Sequence, residues 1–477
     1  MSWKNYCDRG IIVLGAVACW AFFQFWYPYH FFYQEQNQIF LWSGDYISTY
    51  FDRPGGLARL IGDFLTQFYY YLFAGAAILA GCLLAIGLLF YRICRILRDS
   101  WDIRDIRDSR IKRGIGLGLS LVAMGLVAVF HFSTSYRLSS TVSILGWMIT
   151  GTLLISRFAS EIRRTVPVII AVILLPAAWW LFGWPQVKRI QMPDLILEKN
   201  FAIDNEYYFG HHDKVIEMVK NSDGWNNQML FFYNLVQARR GELPDHLLDF
   251  TPNYLGTFEE IGPETPRLTI INMNELYWLL GDMTFTERAA MMTNVFSPDN
   301  RNVRMIRRLA ECNIVSGDTL AAEKYLRILD KTFVYRRWAQ NLRQHGRDIY
   351  ADKISMVNHH DTITTSDNAH FLMMQLLDAH PDNTVALDYI LCSDLLLKDI
   401  TNFKRDYDRY CTETGKPRLK KLYQEALCIW LAGTDAPQED WQRYILRQDV
   451  MKRFVEYNSQ RGNPRFKDTY WYYFDKK

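Results

Sequence analysis

Five long apolar runs are crowded into the first 184 residues of this chain: Ile11–Tyr27, Tyr70–Tyr91, Gly114–Phe132, Leu138–Ile155 and Val166–Trp184. None holds a Lys, Arg, Asp or Glu in its core. A helix that crosses the ~30 Å hydrocarbon core of a bilayer needs about 20 such residues. Five runs of this kind in one half are therefore read as a bundle of five transmembrane helices over residues 1–184, the first and fourth being somewhat short. Residues 185–477 are instead polar and charged, with Leu, Tyr and Trp interspersed. The expectation is two domains, one in lipid and one in water.

Basic residues give the orientation. Lys4 and Arg9 precede the first run. Arg92, Arg95, Arg98, Arg104, Arg107, Arg110, Lys112 and Arg113 follow the second, and Arg157, Arg163 and Arg164 follow the fourth. The alternate connections hold only Arg53, Arg59 and Arg137. Loops rich in Lys and Arg stay cytoplasmic, so the N-terminus is expected inside and residues 185–477 outside. The first run fits the charged and apolar regions of a signal peptide. Its aromatic continuation through Trp20, Phe22, Phe23, Phe25 and Trp26 favours an uncleaved signal-anchor. The segment RDSWDIRDIRDSRIKR pairs Arg98 with Asp102 and Arg104 with Asp108 at helical i,i+4 spacing. It reads as a solvated charged helix that fixes topology, with anionic lipid headgroups as the alternative partner.

Between the first two runs lies an outer loop, residues 28–69, that mixes aromatics with acids. Ile39, Trp42, Tyr46, Ile47, Tyr50 and Phe51 recur at helical spacing. Leu57, Leu60, Ile61, Phe64, Leu65 and Phe68 do so again after Pro54-Gly55-Gly56. Two short amphipathic helices are expected, laid into lipid or against the spans. Asp45 and Asp52 would then point to water.

The polar half shows amphipathic segments joined by short turns: Asp213–Lys220, Gln228–Arg240, Asn302–Ser316, Thr319–Phe333, Thr384–Leu397, Thr401–Cys411, Pro417–Ala432 and Gln438–Asn458. Turns are placed at Ser316-Gly317-Asp318 and at His380-Pro381-Asp382-Asn383. No run alternates with period two, so the whole chain is expected to be all-α.

The segment RLAECNIVSGDTLAAEKYLRILDKT, Arg308–Thr332, resembles a tetratricopeptide-type repeat: a helix, a Gly-Asp turn, then Ala-led packing positions. His380–Tyr410 is similar, with Ala386 and Tyr389 inward and Lys398-Asp399 at the turn. The stretch YYFGHHDKVIEMVKNSDGWNNQMLFFYNLVQARRGEL looks like a degenerate third copy. Several consensus Trp, Leu-Gly and Tyr positions are unmatched and no strict 34-residue period holds. The resemblance implies an α-solenoid over residues 185–477, a curved stack of helix pairs that binds a protein segment in its groove. The overall plan also resembles uncharacterised bacterial polytopic inner-membrane proteins, which implies a periplasmic face for that domain and a location without an activity.

Candidate chemistry is sparse. A net charge of +3 gives no argument for nucleic acid. Phosphate-loop, nucleophile-elbow and zinc-protease motifs are absent. His211-His212-Asp213 and His359-His360-Asp361 put adjacent histidines about 100° apart on a helix, so turns explain them better than a metal. No metal or cofactor is expected. The eight cysteines are scattered singly. Cys411 and Cys428 are the best-placed pair among Cys312, Cys392, Cys411 and Cys428, but apolar helix positions suit a free buried thiol equally. Transport is poorly supported, since the runs lack buried ionisable residues.

Two functions follow. In the first, the protein presents its helical-repeat domain to an envelope protein partner, with membrane lipid around its spans. In the alternative, it is a glycosyltransferase-like enzyme that uses a lipid-linked donor. Glu35, Asp45 and Asp52 would then supply a base or hold a divalent ion at the membrane surface.

Overall fold

A computed structural model describes residues 3–52, 54–100, 109–158, 191–256, 264–357 and 368–476. Among them every regular element is helical and no strand occurs. The chain groups into two compact units. The first comprises Met1–Ala202, Ser297–Arg307 and Tyr325–Arg343. The second comprises Ile203–Phe296, Arg308–Lys324 and Gln344–Lys477. The sequence-based boundary at 184/185 lies outside the described residues.

The helices, in chain order and with the shortest C-terminal ones set aside, begin with α1 (Trp3–Phe25), α2 (Tyr29–Gln36), α3 (Gly44–Ser48), α4 (Gly56–Thr66), α5 (Ala74–Ser100), α6 (Ser109–Phe130) and α7 (Leu138–Phe158). There follow α8 (Leu195–Tyr208), α9 (His212–Lys220), α10 (Asn227–Arg239), α11 (Arg267–Leu280), α12 (Met283–Phe296), α13 (Val303–Val315), α14 (Thr319–Asp330) and α15 (Arg336–Ile349). The last are α16 (Ala369–Ala379), α17 (Thr384–Leu396), α18 (Ile400–Tyr407), α19 (Lys421–Gly433) and α20 (Gln448–Ser459).

Three stretches, Tyr6–Phe25, Ala74–Ile96 and Leu138–Arg157, are helices long and apolar enough to cross a membrane. They mark the chain as a membrane protein, with three candidate spans among the described residues rather than five. The predicted span Gly114–Phe132 forms a helix, but its apolar part, Gly114–Phe130, is shorter than the other three. The fifth run, Val166–Trp184, lies outside the described residues. Inside the bundle, Ile12, Ala16 and Phe23 of α1 pack with Leu79, Leu83 and Ile86 of α5 and with Met124 of α6. Gly87 permits this approach: a Cβ there would stand 2.3 Å from Met124 Sδ and 2.8 Å from Ile12 Cγ2. Leu14, Val17, Trp147, Leu153 and Leu154 remain exposed, as side chains that face lipid would.

The outer loop differs from the two amphipathic helices expected. Its first helical pattern collapses to the single turn of α3, because residues 38–42 are not helical. There the Trp42 N–H donates to the Lys331 carbonyl, 2.6 Å away. A backbone bond to another part of the chain outweighs the local helical periodicity. The second pattern is α4 as predicted. It lies against a span, since a Cβ on Gly62 would sit 2.4 Å from Ser139 Cα at the start of α7.

In the second unit the helices form hairpins: α9 with α10, α11 with α12, and α17 with α18. Asx side chains begin several of them by accepting otherwise orphaned N–H groups. Asn226 accepts from Met229, Asn383 from Ala386, and Asp399 from Asn402. The turn foreseen at Ser316-Gly317-Asp318 closes with Gly317 at φ 83° and Asp318 capping Ala321. Gly281, at φ 85°, ends α11 in the same left-handed way. The core draws Phe232, Tyr233 and Val236 of α10 together with Tyr389, Ile390, Phe403, Tyr423 and Tyr470.

One expected helix is divided. Gln438–Asn458 is two helices, Gln438–Arg443 and Gln448–Ser459. Between them the Tyr444 hydroxyl donates to Asp408 at 2.8 Å and the Arg447 N–H donates to Gln424 Oε1 at 2.8 Å. Tertiary hydrogen bonds thus hold the break. Helices α11 and α12 were not foreseen. Ten of the fourteen residues of α11 are buried, including Asn272, Asn274 and Glu275, so it shows no one-sided stripe to read.

Candidate functional site in the outer loop

The three acids expected in the outer loop have different fates. Asp45, in the first turn of α3, and Asp52, just beyond it, are exposed. Glu35, in the last turn of α2, is buried at 3 % exposure. The Tyr335 hydroxyl lies 3.0 Å from both of its carboxyl oxygens. Burial pushes the Glu35 carboxyl well above its ordinary range, and the Tyr335 hydrogen bond offsets only part of that. Glu35 lines a recess with Gln38, Phe40, Gln67, Val303, Thr332 and Tyr335. Its volume is about 10 Å³, room for about one water.

A second acid, Asp63 of α4, is more involved than the sequence indicated. The Tyr50 hydroxyl donates to Asp63 Oδ2 at 2.8 Å and lies 2.9 Å from the Tyr46 hydroxyl. Arg301 in turn donates to the Tyr46 oxygen at 2.9 Å, with its guanidinium 4.9 Å from the Tyr46 ring centre. The Tyr46 hydroxyl also donates to the Ile39 carbonyl at 2.8 Å, so Tyr46 and Tyr50 each have another acceptor, and the cluster joins Arg301, Tyr46, Tyr50 and Asp63 without one donor direction. Burial pushes Asp63 upward, against the hydrogen bond from Tyr50 and the charges of Arg137 and Arg59.

The same loop is held at two further points within the first unit. Arg304 donates to Gln36 Oε1 at 3.2 Å, and Asn302 donates to Asn37 Oδ1 at 3.2 Å. At the start of α2, the Tyr29 and His30 N–H groups both donate to the Glu198 carboxylate from α8. A carboxylate in that place satisfies orphan donors and meets the positive end of the helix dipole. His30 itself is fully buried between Tyr27 and Phe31, with ring centres 4.5 and 4.0 Å away. Burial, the neighbouring His131 and the loss of water lower its imidazole to about 3, so it is neutral at physiological pH.

Two measurements follow. Tyr335→Phe leaves the buried Glu35 carboxyl without its donor and is expected to cost about 1–3 kcal/mol of stability. Glu35→Gln keeps a partner for Tyr335 and should cost less in the same thermal melts of the full chain in detergent. For Glu198, burial pushes the carboxyl from 4.5 up to about 8 against its two backbone donors. The folded state then holds a proton that the unfolded chain has released between those values. Stability present below about pH 4.5 is therefore lost as the pH rises towards 8. Melts of Glu198→Gln between those limits should show a flatter pH profile than the wild type.

Tyr335, Arg301, Arg304 and Glu198 were not identifiable beforehand, because no motif links them to residues 28–69. The histidine clusters weighed in the sequence fall out as follows. His211, between α8 and α9, has its Nδ1 2.7 Å from Glu206 Oε2 of α8, and Asp213 in the first turn of α9 pairs with Arg240 at 2.6 Å. His359-His360-Asp361 lies outside the described residues. Cys312, Cys392, Cys411 and Cys428 are buried free thiols. Among the described residues, His370, Asp394 and Asp406 bring metal-type ligand atoms within 4.8 Å of one another.

No curated protein and no solved structure matches this chain. A family model does, over residues 3–187 and again over 184–477, which together span nearly the whole length. The chain belongs to the family of unknown function DUF6057.

Proposed function

We propose that this is a bacterial inner-membrane protein that presents its C-terminal helical domain to a protein partner on the periplasmic side. The observation that carries this reading is the architecture of the second unit. Its helices pair as hairpins with capped, glycine-bearing turns, the plan that the tetratricopeptide-like segments imply and that binding solenoids use. The outer-loop chemistry supports it from the other side. Glu35, Asp63 and Glu198 are each engaged in holding the chain together, and the recess beside Glu35 admits no sugar. The basic residues that flank the first two spans support a cytoplasmic N-terminus.

Topology is tested by fusing alkaline phosphatase or a green fluorescent reporter after Lys477 in a bacterial host. An active phosphatase and a dark fluorophore are expected. A bright fluorophore with an inactive phosphatase would put the domain in the cytoplasm and end the periplasmic reading. Partner binding is tested by photo-crosslinking from Leu320 and Leu397, both strongly exposed on the second unit. A discrete adduct, competed by the unlabelled chain, is expected.

One observation favours the enzymatic alternative. Glu35 is a carboxyl that burial pushes above its ordinary range beside a water-sized recess, the direction a general acid needs. A deletion strain complemented by Glu35→Gln or by the Asp45→Asn, Asp52→Asn pair argues for binding. Loss of complementation at normal protein levels with an intact fold argues for transfer chemistry on a lipid-linked donor.

A further inference from the structure

His370, near the start of α16, meets two acids from the α17–α18 hairpin. Its Nε2 is 2.7 Å from Asp406 Oδ2 and its Nδ1 is 3.5 Å from Asp394 Oδ1. Asp406 is fully buried and Asp394 is 4 % exposed, whereas His370 opens partly to water. Two features of this cluster are not explained by ordinary ion pairing. First, Asp394 Oδ2 is buried with no hydrogen-bond partner, a costly state for a carboxylate oxygen. Second, the Arg405 guanidinium stands 2.8 Å from the same His370 Nε2 that faces Asp406. A protonated Nε2 suits Asp406 and repels the arginine N–H. An unprotonated Nε2 accepts from the arginine and repels the carboxylate. No protonation state satisfies both neighbours.

A divalent cation resolves both conflicts. It accepts the imidazole lone pair together with one oxygen from each aspartate, and it gives the orphaned oxygen a partner. Arg405 is half-exposed and donates to Asp406 from Nε at 2.8 Å, so an incoming ion takes over that carboxylate as the guanidinium turns out to water. We propose that His370, Asp394 and Asp406 form a site for a divalent transition ion, with Arg405 occupying the place of the cation in its absence. One imidazole and two carboxylates suit Mn²⁺ or Zn²⁺ better than Ca²⁺, which takes oxygen ligands alone. The ligands come from three helices, so a bound ion clamps α16 onto the α17–α18 hairpin.

The full chain in detergent, stripped with EDTA, is titrated with MnCl₂ and followed by electron paramagnetic resonance and thermal melting. One Mn²⁺ per chain is expected, with a saturable rise in melting temperature. His370→Ala and His370→Gln, each checked for an intact fold by circular dichroism, weaken binding at least tenfold. Arg405→Ala removes the competing cation and tightens it several-fold. Asp394→Asn adds a second ligand deletion, but the outcome does not depend on its folding. Absence of saturable binding in the wild type overturns the proposal, whatever Arg405→Ala does. So does Mn²⁺ binding that His370→Ala leaves unchanged. Arg405→Ala with unaltered affinity overturns the role of the arginine as stand-in.

Discussion

Replacing Arg308 by alanine is expected to destabilise the folded chain by about 3–5 kcal/mol, the largest single effect predicted for the second unit. Arg308 donates to Glu275 at 2.7 Å, to Glu311 at 2.9 Å and to Asn274 Oδ1 at 3.1 Å. Its guanidinium also lies over the Trp278 ring, 4.4 Å from the centre. The side chains of all three charged residues are about nine-tenths buried or more. Removing the cation leaves two carboxylates close together in low dielectric, which the Tyr350 hydroxyl on Glu311 and the nearby Lys353 offset only in part. Arg308→Lys keeps the charge but cannot serve both acids and the asparagine from one planar fork, so it should recover only part of the loss. Adding Glu275→Gln to Arg308→Ala removes one stranded charge and should restore stability relative to the single variant. Chemical denaturation followed by circular dichroism reads all three. Equal stability of wild type and Arg308→Ala would mean that the cluster contributes nothing net.

The second large effect is steric and lies in the first unit. A Cβ added to Gly62 would fall 2.4 Å from Ser139 Cα and 2.6 Å from Ser139 N. Both are backbone atoms of the neighbouring helix, so no rotamer change relieves the contact. Gly62→Ala should cost about 1–3 kcal/mol through overpacking, and Gly62→Leu should prevent α4 from docking on α7 altogether. Gly81 offers a control within the same bundle, because a Cβ there meets nothing within 4 Å. Gly81→Ala should be silent or slightly stabilising, since alanine favours helix over glycine. Limited proteolysis between residues 44 and 66 and melting in detergent report the difference.

Much of the secondary structure was legible because each element carries its own local signal. The spans α1, α5 and α7 are read from length and uniform apolarity, α4 from its stripe after Pro54-Gly55-Gly56, and the α17–α18 turn from Lys398-Asp399. Lys398 adopts φ 59° there and Asp399 caps the next helix. Two kinds of element escaped. Buried helices such as α11 show apolar residues on all sides, so the periodicity that betrays a surface helix vanishes. Residues 38–42 open a helical pattern yet form no helix, and there the Lys331 carbonyl captures the Trp42 N–H.

The outer loop shows the same division in its chemistry. Sequence could flag Glu35, Asp45 and Asp52 as acids beside a membrane, for that depends only on residue type and on the neighbouring spans. Their roles depend on burial and partners. Glu35 is buried under Tyr335, while Asp45 and Asp52 stay in water, and Asp63 takes up the tyrosine–arginine chain instead. Likewise Cys411 and Cys428 stood out as the best-placed pair, and the structure leaves all eight cysteines free thiols.

By itself, then, the sequence determined that this is a helical chain with membrane-spanning segments, because backbone geometry and lipid solubility act over stretches of about twenty residues. Only the tertiary structure decided that residues 297–307 and 325–343 complete the first unit around the outer loop. It alone brought His370, Asp394 and Asp406 together. Those arrangements rest on single hydrogen bonds and ion pairs between residues far apart in the chain, whose sign and strength depend on burial that no local pattern encodes.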